Sequence, residues 1–204
     1  FKPDDKTRAN FRKKLVIHKD AFIFGHAARF HSTKDQNTLI NALQKVVHCY
    51  PKSLALLCGK NIDSGNTILM DWISHAGLKN NIILLGELID LRAFYNAIDV
   101  LVLSSLSEAL PNVIGEAMSS GVPCVATDVG DCRYLISNTG LVVPPSSPDL
   151  MSEAMIQLLQ NSELRNKFGL EARQRIKKNF AITTIVNNFE ELYKKVISEF
   201  EWSK

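Results

Sequence analysis

The sequence predicts an α/β fold, a doubly wound parallel sheet of about six strands with helices on both faces and a helical tail. Three observations carry this prediction. Short apolar runs alternate with longer stretches of helical period, the pattern that repeated βαβ units leave in a sequence. After Pro144-Pro145 the strand signals stop and only helical segments follow. With 204 residues, 46% of them hydrophobic and 22% charged, the chain has ordinary globular composition and enough length to bury a core.

Taken in order, the first strand is the apolar run 21–27. It leads into a helix over 34–49, where Ser32 with Asp35, or Thr33 with Gln36, reads as a capping box and places Lys34 in the first helical turn. Strands at 53–58, 81–85 and 99–103 follow, with helices at 67–75 and 91–97 between them. Pro111 suits the first turn of a helix over 112–120, and strands at 123–127 and 140–143 flank a helix at 131–137. The tail is three helices, 149–160, 164–178 and 183–200, the first with an apolar stripe of Leu150, Ala154, Ile156, Leu158 and Leu159. No internal repeat or low-complexity linker interrupts the chain, so residues 1–204 read as one domain with a helical appendage from about 148.

Composition excludes several function classes. The net charge is only +3 and the basic residues are scattered until the stretch 165–178, so nucleic acid is not an expected partner. Cys49, Cys58, Cys124 and Cys132 form no CxxC pair and sit mostly in apolar runs, which fits free thiols in a reducing, cytoplasmic compartment. No signal-peptide core opens the chain, and no apolar run approaches the roughly 20 residues of a membrane span. His18, His26, His31, His48 and His75 include no HxxxH pair and do not cluster with cysteine, so no metal is expected.

The segment most informative for chemistry runs from Ser104 through Glu108 to Glu116, from the C-terminal end of a strand into a helix. Open α/β sheets bind ligands at such a junction. The free amides from about Asn112 onward, with the helix dipole, favour an anion such as a phosphate. Glu116 lies one turn beyond Asn112 on the same side of the helix, while Val113, Ile114, Ala117 and Met118 take the apolar side. Its carboxylate suits a vicinal diol such as a ribose, and Glu108 suits hydroxyls beyond the phosphates. Taken by themselves, Glu116 also fits a solvated helix residue and Glu108 a loop charge. A second segment, Arg29-Phe30-His31-Ser32-Thr33-Lys34, tilts the balance. A lysine where the helix dipole disfavours a cation makes sense beside an anion, and Arg29 with Lys34 suits a departing diphosphate.

The stretch from Glu108 to Glu116, continued by Ala117-Met118-Ser119-Ser120-Gly121-Val122-Pro123-Cys124-Val125-Ala126-Thr127-Asp128-Val129-Gly130, resembles the glycosyltransferase group 1 family, also called glycosyltransferase family 4. Gly140-Leu141-Val142-Val143-Pro144-Pro145, Arg29 with Lys34, Asn81-Ile82-Ile83-Leu84-Leu85-Gly86, and Leu164-Arg165-Asn166-Lys167-Phe168-Gly169 extend the likeness over nearly the whole chain. The resemblance implies the C-terminal, donor-binding half of a GT-B fold, in which two Rossmann-like lobes face each other. It also implies sugar transfer with retention and without a metal or other cofactor, from a UDP- or GDP-type donor to a glycan, lipid or polysaccharide-precursor acceptor. On matching positions, Arg29 and Lys34 would stabilise the leaving diphosphate and Glu116 would bind the ribose. Glu108, with the main chain of Ala109, Leu110, Pro111 and Asn112 and the following Val113, would hold sugar and phosphate. Gly86, Glu87 and Leu88 would line the base pocket.

Departures from the family pattern are Ala28 and Ala109 where glycine is common, Gly59-Lys60-Asn61 for a Gly-x-Gly, and Asp131 for a second glycine. The resemblance further implies an N-terminal lobe ahead of Phe1-Lys2-Pro3 that carries acceptor contacts, so the chain is expected to bind nucleotide weakly and to transfer no sugar by itself. Arg165, Lys167, Arg173, Arg175, Lys177 and Lys178 read as a solvated helix face, with contact to anionic lipid at the inner membrane face as the second reading. Ser104, Ser105 and Ser107 have no GxSxG elbow around them and read as loop capping groups; His26 reads as a hydrogen-bonded structural residue before a cleft-lining one. Trp72 reads as helix packing and Trp202 as near-terminal. The alternatives are a sugar-nucleotide epimerase lobe, against which the Glu108 to Glu116 motif speaks, and a non-catalytic scaffold, against which the joint presence of Arg29, Lys34, Glu108 and Glu116 speaks. A receiver-like signalling domain would need acidic residues where Gly25-His26-Ala27-Ala28-Arg29 stands.

Overall fold

The structure, a computed structural model, describes residues 1–199. Phe200, the predicted end of the last helix, and Trp202 lie outside the described residues. Six strands form one parallel sheet: β1 (Ile23–Ala27), β2 (Leu54–Cys58), β3 (Ile82–Leu84), β4 (Val100–Leu103), β5 (Cys124–Thr127) and β6 (Leu141–Val143). Their order across the sheet is β3-β2-β1-β4-β5-β6, so the winding reverses between β1 and β4. Each strand lies inside the interval predicted for it.

The strands are continuous apolar runs because both faces of the sheet are covered. In β4, Val100 and Val102 enter the core on one face while Leu101 and Leu103 enter the core on the other, the period-two alternation of a pleated strand. On the first face pack α2 (Gln36–Cys49), α3 (Thr67–His75) and α7 (Pro148–Gln160). On the second pack α4 (Arg92–Ala97), α5 (Asn112–Ser119), α6 (Cys132–Ile136) and α8 (Ser162–Asn179). In α7 the buried residues are Met151, Ser152, Ala154, Met155 and Leu158; Leu150, placed in the predicted stripe, is exposed, so the stripe is rotated toward the methionines. The last helix, α9 (Ile182–Glu199), has no buried residue.

Two further features of the fold depart from the sequence expectation. A helix not predicted, α1 (Asp5–Lys14), precedes the sheet. It has little apolar surface and is fixed by polar contacts: the Thr7 amide donates to the Asp4 carboxylate at 2.9 Å, and Arg8 and Arg12 reach Asp99 at 2.5 and 2.9 Å. Asp99 also accepts from the Ile23 amide at 2.7 Å, so one carboxylate joins α1 to the starts of β1 and β4. The other departure is at the predicted start of the 34–49 helix, which is a separate 3-10 turn (Ser32–Lys34). Neither capping box forms. His31 caps the 3-10 turn, and Asp35, at φ +44°, accepts from the Thr38 amide as the cap of α2. Lys34 therefore stands in the turn ahead of the helix rather than within its first turn.

Candidate functional site

The crevice at the C-terminal ends of β1 and β4 lies where the strand order reverses, the position at which open α/β sheets expose loop backbone and helix starts to ligands. The loops leaving the two strands are bonded to each other. The Leu106 amide donates to the Thr33 carbonyl at 2.7 Å, and Ser104 Oγ donates to the Lys34 carbonyl at 2.9 Å. Lys34 Nζ reaches Glu108 Oε1 at 2.6 Å, and Ser105 Oγ donates to the same oxygen at 2.6 Å. Two of the predicted residues, far apart in sequence, thus form one ion pair with 20% and 11% of their side chains exposed. Of the three serines expected to cap the loop, buried Ser104 caps the Lys34 carbonyl, buried Ser105 bonds to the Glu108 carboxylate instead, and Ser107 is exposed with no side-chain hydrogen bond among the described residues.

The Glu108 loop rests on the next crossover. Thr127 Oγ1 donates to the Ser105 carbonyl at 2.6 Å, and the Asp131 amide donates to the Ala109 carbonyl at 2.8 Å. Gly130 makes that approach possible: a Cβ there would fall 2.1 Å from the Glu108 carbonyl oxygen, and its φ of +50° is itself a glycine conformation. Beyond the loop, Pro111 takes the N-cap of α5 with no side-chain cap, a position one residue earlier than predicted. The Ile114 amide donates to the Pro111 carbonyl at 3.1 Å, while the Asn112 and Val113 amides have no partner among the described residues and are left to solvent or a ligand. Glu116, half-buried in the second turn, lines an open groove with Leu110, Pro111, Asn112 and Gly115, while Ile114, Ala117 and Met118 are buried. Ala109, Leu110 and Asn112 are exposed, and Val113 is half-buried.

The Glu116 carboxylate has a partner that no local pattern announces. Tyr95, fully buried on α4, donates from its hydroxyl to Glu116 Oε2 at 2.8 Å. Its apolar surroundings, and then the Glu116 charge, raise the phenol well above its ordinary range, so it acts as a donor at any physiological pH.

Other predicted residues are placed apart. The Arg29 side chain is exposed and has no ion-pair or hydrogen-bond partner among the described residues; its carbonyl accepts from the Gln36 amide group at 2.9 Å. Gly86, Glu87 and Leu88 follow β3, two strands from β1 on the same edge. Gly86 turns at φ +65° and its carbonyl accepts from the Gly59 amide at 2.8 Å, Glu87 is exposed, and Leu88 packs inward. His26 is the structural residue expected: 1% exposed, its Nδ1 donates to the Val102 carbonyl at 3.0 Å, and burial pushes its pKa down to about 4. The neutral ring leaves a buried Nε2 lone pair without a partner among the described residues.

All four cysteines are free, with Cys49 exposed and the rest buried; burial pushes Cys58 up to about 12 and Cys132 to about 11, so neither is a thiolate. Trp72 packs against Phe30 with ring centroids 5.6 Å apart. The basic stretch of α8 is only partly a solvated face. Arg165 donates to the Leu158 carbonyl, Arg173 to the Ser119 carbonyl and Arg175 to the Leu135 carbonyl, so these three arginines fasten the helix down. Among the described residues no group of three His, Cys, Asp or Glu side chains gathers as a metal site, and no helix is long and apolar enough to cross a membrane.

The model of the family described as Glycosyl transferases group 1 matches residues 7–175. N-acetyl-alpha-D-glucosaminyl L-malate synthase of Bacillus anthracis is 25% identical over 92% of this chain and 49% of its own length. Among solved structures, Anabaena Alr3699/HepE in complex with UDP-glucose superposes with a TM-score of 0.85 at 24% identity, over 96% of this chain and 54% of that one. The C-terminal domain of a glycosyl transferase group 1 family protein from Francisella tularensis superposes with a TM-score of 0.78 at 24% identity, over 89% of this chain and 96% of that domain. The chain spans about half the length of the curated relatives it matches.

Proposed function

The chain belongs to the glycosyl transferases group 1 family, and from that membership we propose that it is the C-terminal, donor-binding lobe of a retaining, metal-independent family 4 glycosyltransferase. In this reading the lobe takes a nucleotide diphosphate sugar and, with an N-terminal lobe, passes the sugar to a glycan, lipid or polysaccharide-precursor acceptor in the cytoplasm or at the inner membrane face. The observation that carries it is the convergence of Lys34, Glu108 and the uncapped start of α5 at the reversal of strand order, with Glu116 one turn further along. Each of these groups has the chemistry one part of an extended donor requires.

The diphosphate is assigned to the space between Lys34 and the first amides of α5, with the exposed Arg29 free to close on it as charge develops. Lys34 and Glu108 neutralise each other in the ligand-free site, so an arriving diphosphate takes over the lysine. Glu108, still held by Ser105, then turns its carboxylate to the sugar hydroxyls. The ribose is assigned to Glu116 and the base to the backbone of Gly86, Glu87 and Leu88. Lys34, held at the crevice, and Arg29, recruited to it, supply the charge stabilisation that a metal supplies elsewhere.

The test is a calorimetric titration with UDP, GDP and ADP, with and without EDTA. One of the three is expected to bind, to be unaffected by EDTA, and to lose at least about ten-fold in affinity with Lys34→Ala. Sugar transfer by the 204 residues alone, or binding that EDTA abolishes, would overturn the reading.

A further inference from the structure

We infer that Tyr95 is the positioning residue of the ribose site, its hydroxyl holding the Glu116 carboxylate by one oxygen so that the other is presented to the nucleotide. The inference rests on the assignment of Glu116 to the ribose. Tyr95 sits on α4 and Glu116 on α5, and the bond between them, 2.8 Å from Oη to Oε2, joins the two helices behind the groove. Oε1 of Glu116 has no hydrogen-bond partner among the described residues, and Glu116 lines the open groove beside Asn112 and Gly115. One carboxylate oxygen is thus anchored in the protein and the other is available at the surface.

Packing alone does not call for the hydroxyl. The neighbouring Phe94 is equally buried and fills its part of the core without a polar atom. A fully buried phenol must find an acceptor, and this one finds the carboxylate of the helix that borders the crevice. The anchor is also stiff. Phe94 and Phe1 stand edge-on to the Tyr95 ring at centroid distances of 5.3 and 5.6 Å. The backbone of α4 is gripped by Arg8, which donates to the Asn96 and Ile98 carbonyls at 3.0 Å each. A glutamate side chain free to rotate loses rotamer entropy when a ligand fixes it; one fixed beforehand does not.

The experiment compares UDP and GDP with their 2′,3′-dideoxy counterparts, by calorimetry, on the wild-type chain, Tyr95→Phe and Glu116→Ala. Tyr95→Phe is expected to weaken the ribonucleotide about ten-fold, to leave the dideoxy nucleotide unchanged, and to melt within a few degrees of wild type. A purely structural role predicts equal weakening of both nucleotides and would overturn the inference. If Tyr95→Phe binds as wild type while Glu116→Ala loses the ribose preference, the inference fails and the ribose assignment stands. If Glu116→Ala binds as wild type, or neither nucleotide binds the wild-type chain, the assignment fails and the inference with it. Should Tyr95→Phe not fold, the Tyr95 hydroxyl proton of the wild-type chain is followed by NMR. It is expected to shift with the bound ribonucleotide and not with its dideoxy counterpart, and equal shifts would overturn the inference.

Discussion

His26 is the residue whose protonation most directly costs the fold. Burial holds its ring neutral down to a pKa of about 4, whereas in the unfolded chain it protonates near the ordinary 6.5. Between those values the unfolded chain binds the extra proton, so stability falls as pH drops from about 6.5 toward 4, by roughly 3 kcal/mol at most. Urea unfolding at pH 7.5 and pH 4.5 is expected to show a smaller loss for His26→Leu than for wild type; equal losses would contradict this. Asp99 is the residue on which most charge converges. Asp99→Ala leaves Arg12 buried without its carboxylate and removes the acceptor of the Ile23 amide, an expected loss of about 3 kcal/mol in denaturant unfolding. At this scale Lys34, Glu108 and Glu116 stand out in the sequence as candidates only by residue type, position and family resemblance together, since by themselves the two glutamates also fit a solvated helix residue and a loop charge. Tyr95 and Asp99 are not legible. A tyrosine in an apolar run reads as core, and the carboxylate that opens the predicted strand 99–103 shows nothing of its role until the partners that reach it from far along the chain are known.

Elements are legible wherever apolar periodicity is strong. All six strands and the helices of the sheet follow from runs such as Val100–Leu103, buried on both faces. The helix Asp5–Lys14 escapes such a reading because hydrophobic period is not what forms it; arginines reaching carbonyls and Asp99 do, and such long-range polar contacts leave no local pattern. The entry to α2 differs from expectation for a related reason: Asp35 adopts a left-handed backbone and caps the helix itself, displacing both predicted capping boxes. The β5–α6 connection shows how one element supports another's function. Gly130→Ala pushes a methyl into the carbonyls of Glu108 and Ala109 and strains a positive φ. It is expected to cost about 1–3 kcal/mol and to weaken nucleotide binding more than Asn138→Ala, an exposed change in the same region. Calorimetry and melting of the two variants check this, and equal affinities would show that the Glu108 loop does not depend on Gly130.

For the whole molecule, the sheet order is what makes a site. The reversal between β1 and β4 brings residues 29–34 and 104–116 together, and strand prediction alone does not supply it. The helix α9 is the opposite case, an element the fold carries without burying: Ile182, Val186, Phe189, Leu192, Tyr193, Val196 and Ile197 are all exposed. Truncation after Ala181 is therefore expected to leave the melting temperature within about 2 °C, and a larger fall would mean that α9 contributes packing to the fold. The central claim is that the crevice between β1 and β4 is a nucleotide-sugar site, and a crystal structure of the chain grown with the nucleoside diphosphate selected by titration tests it most directly. The diphosphate is expected between Lys34 and the first turn of α5, with the Lys34–Glu108 pair opened and the ribose hydroxyls on Glu116. A nucleotide seated elsewhere on the molecule, with that pair still closed, would contradict the claim.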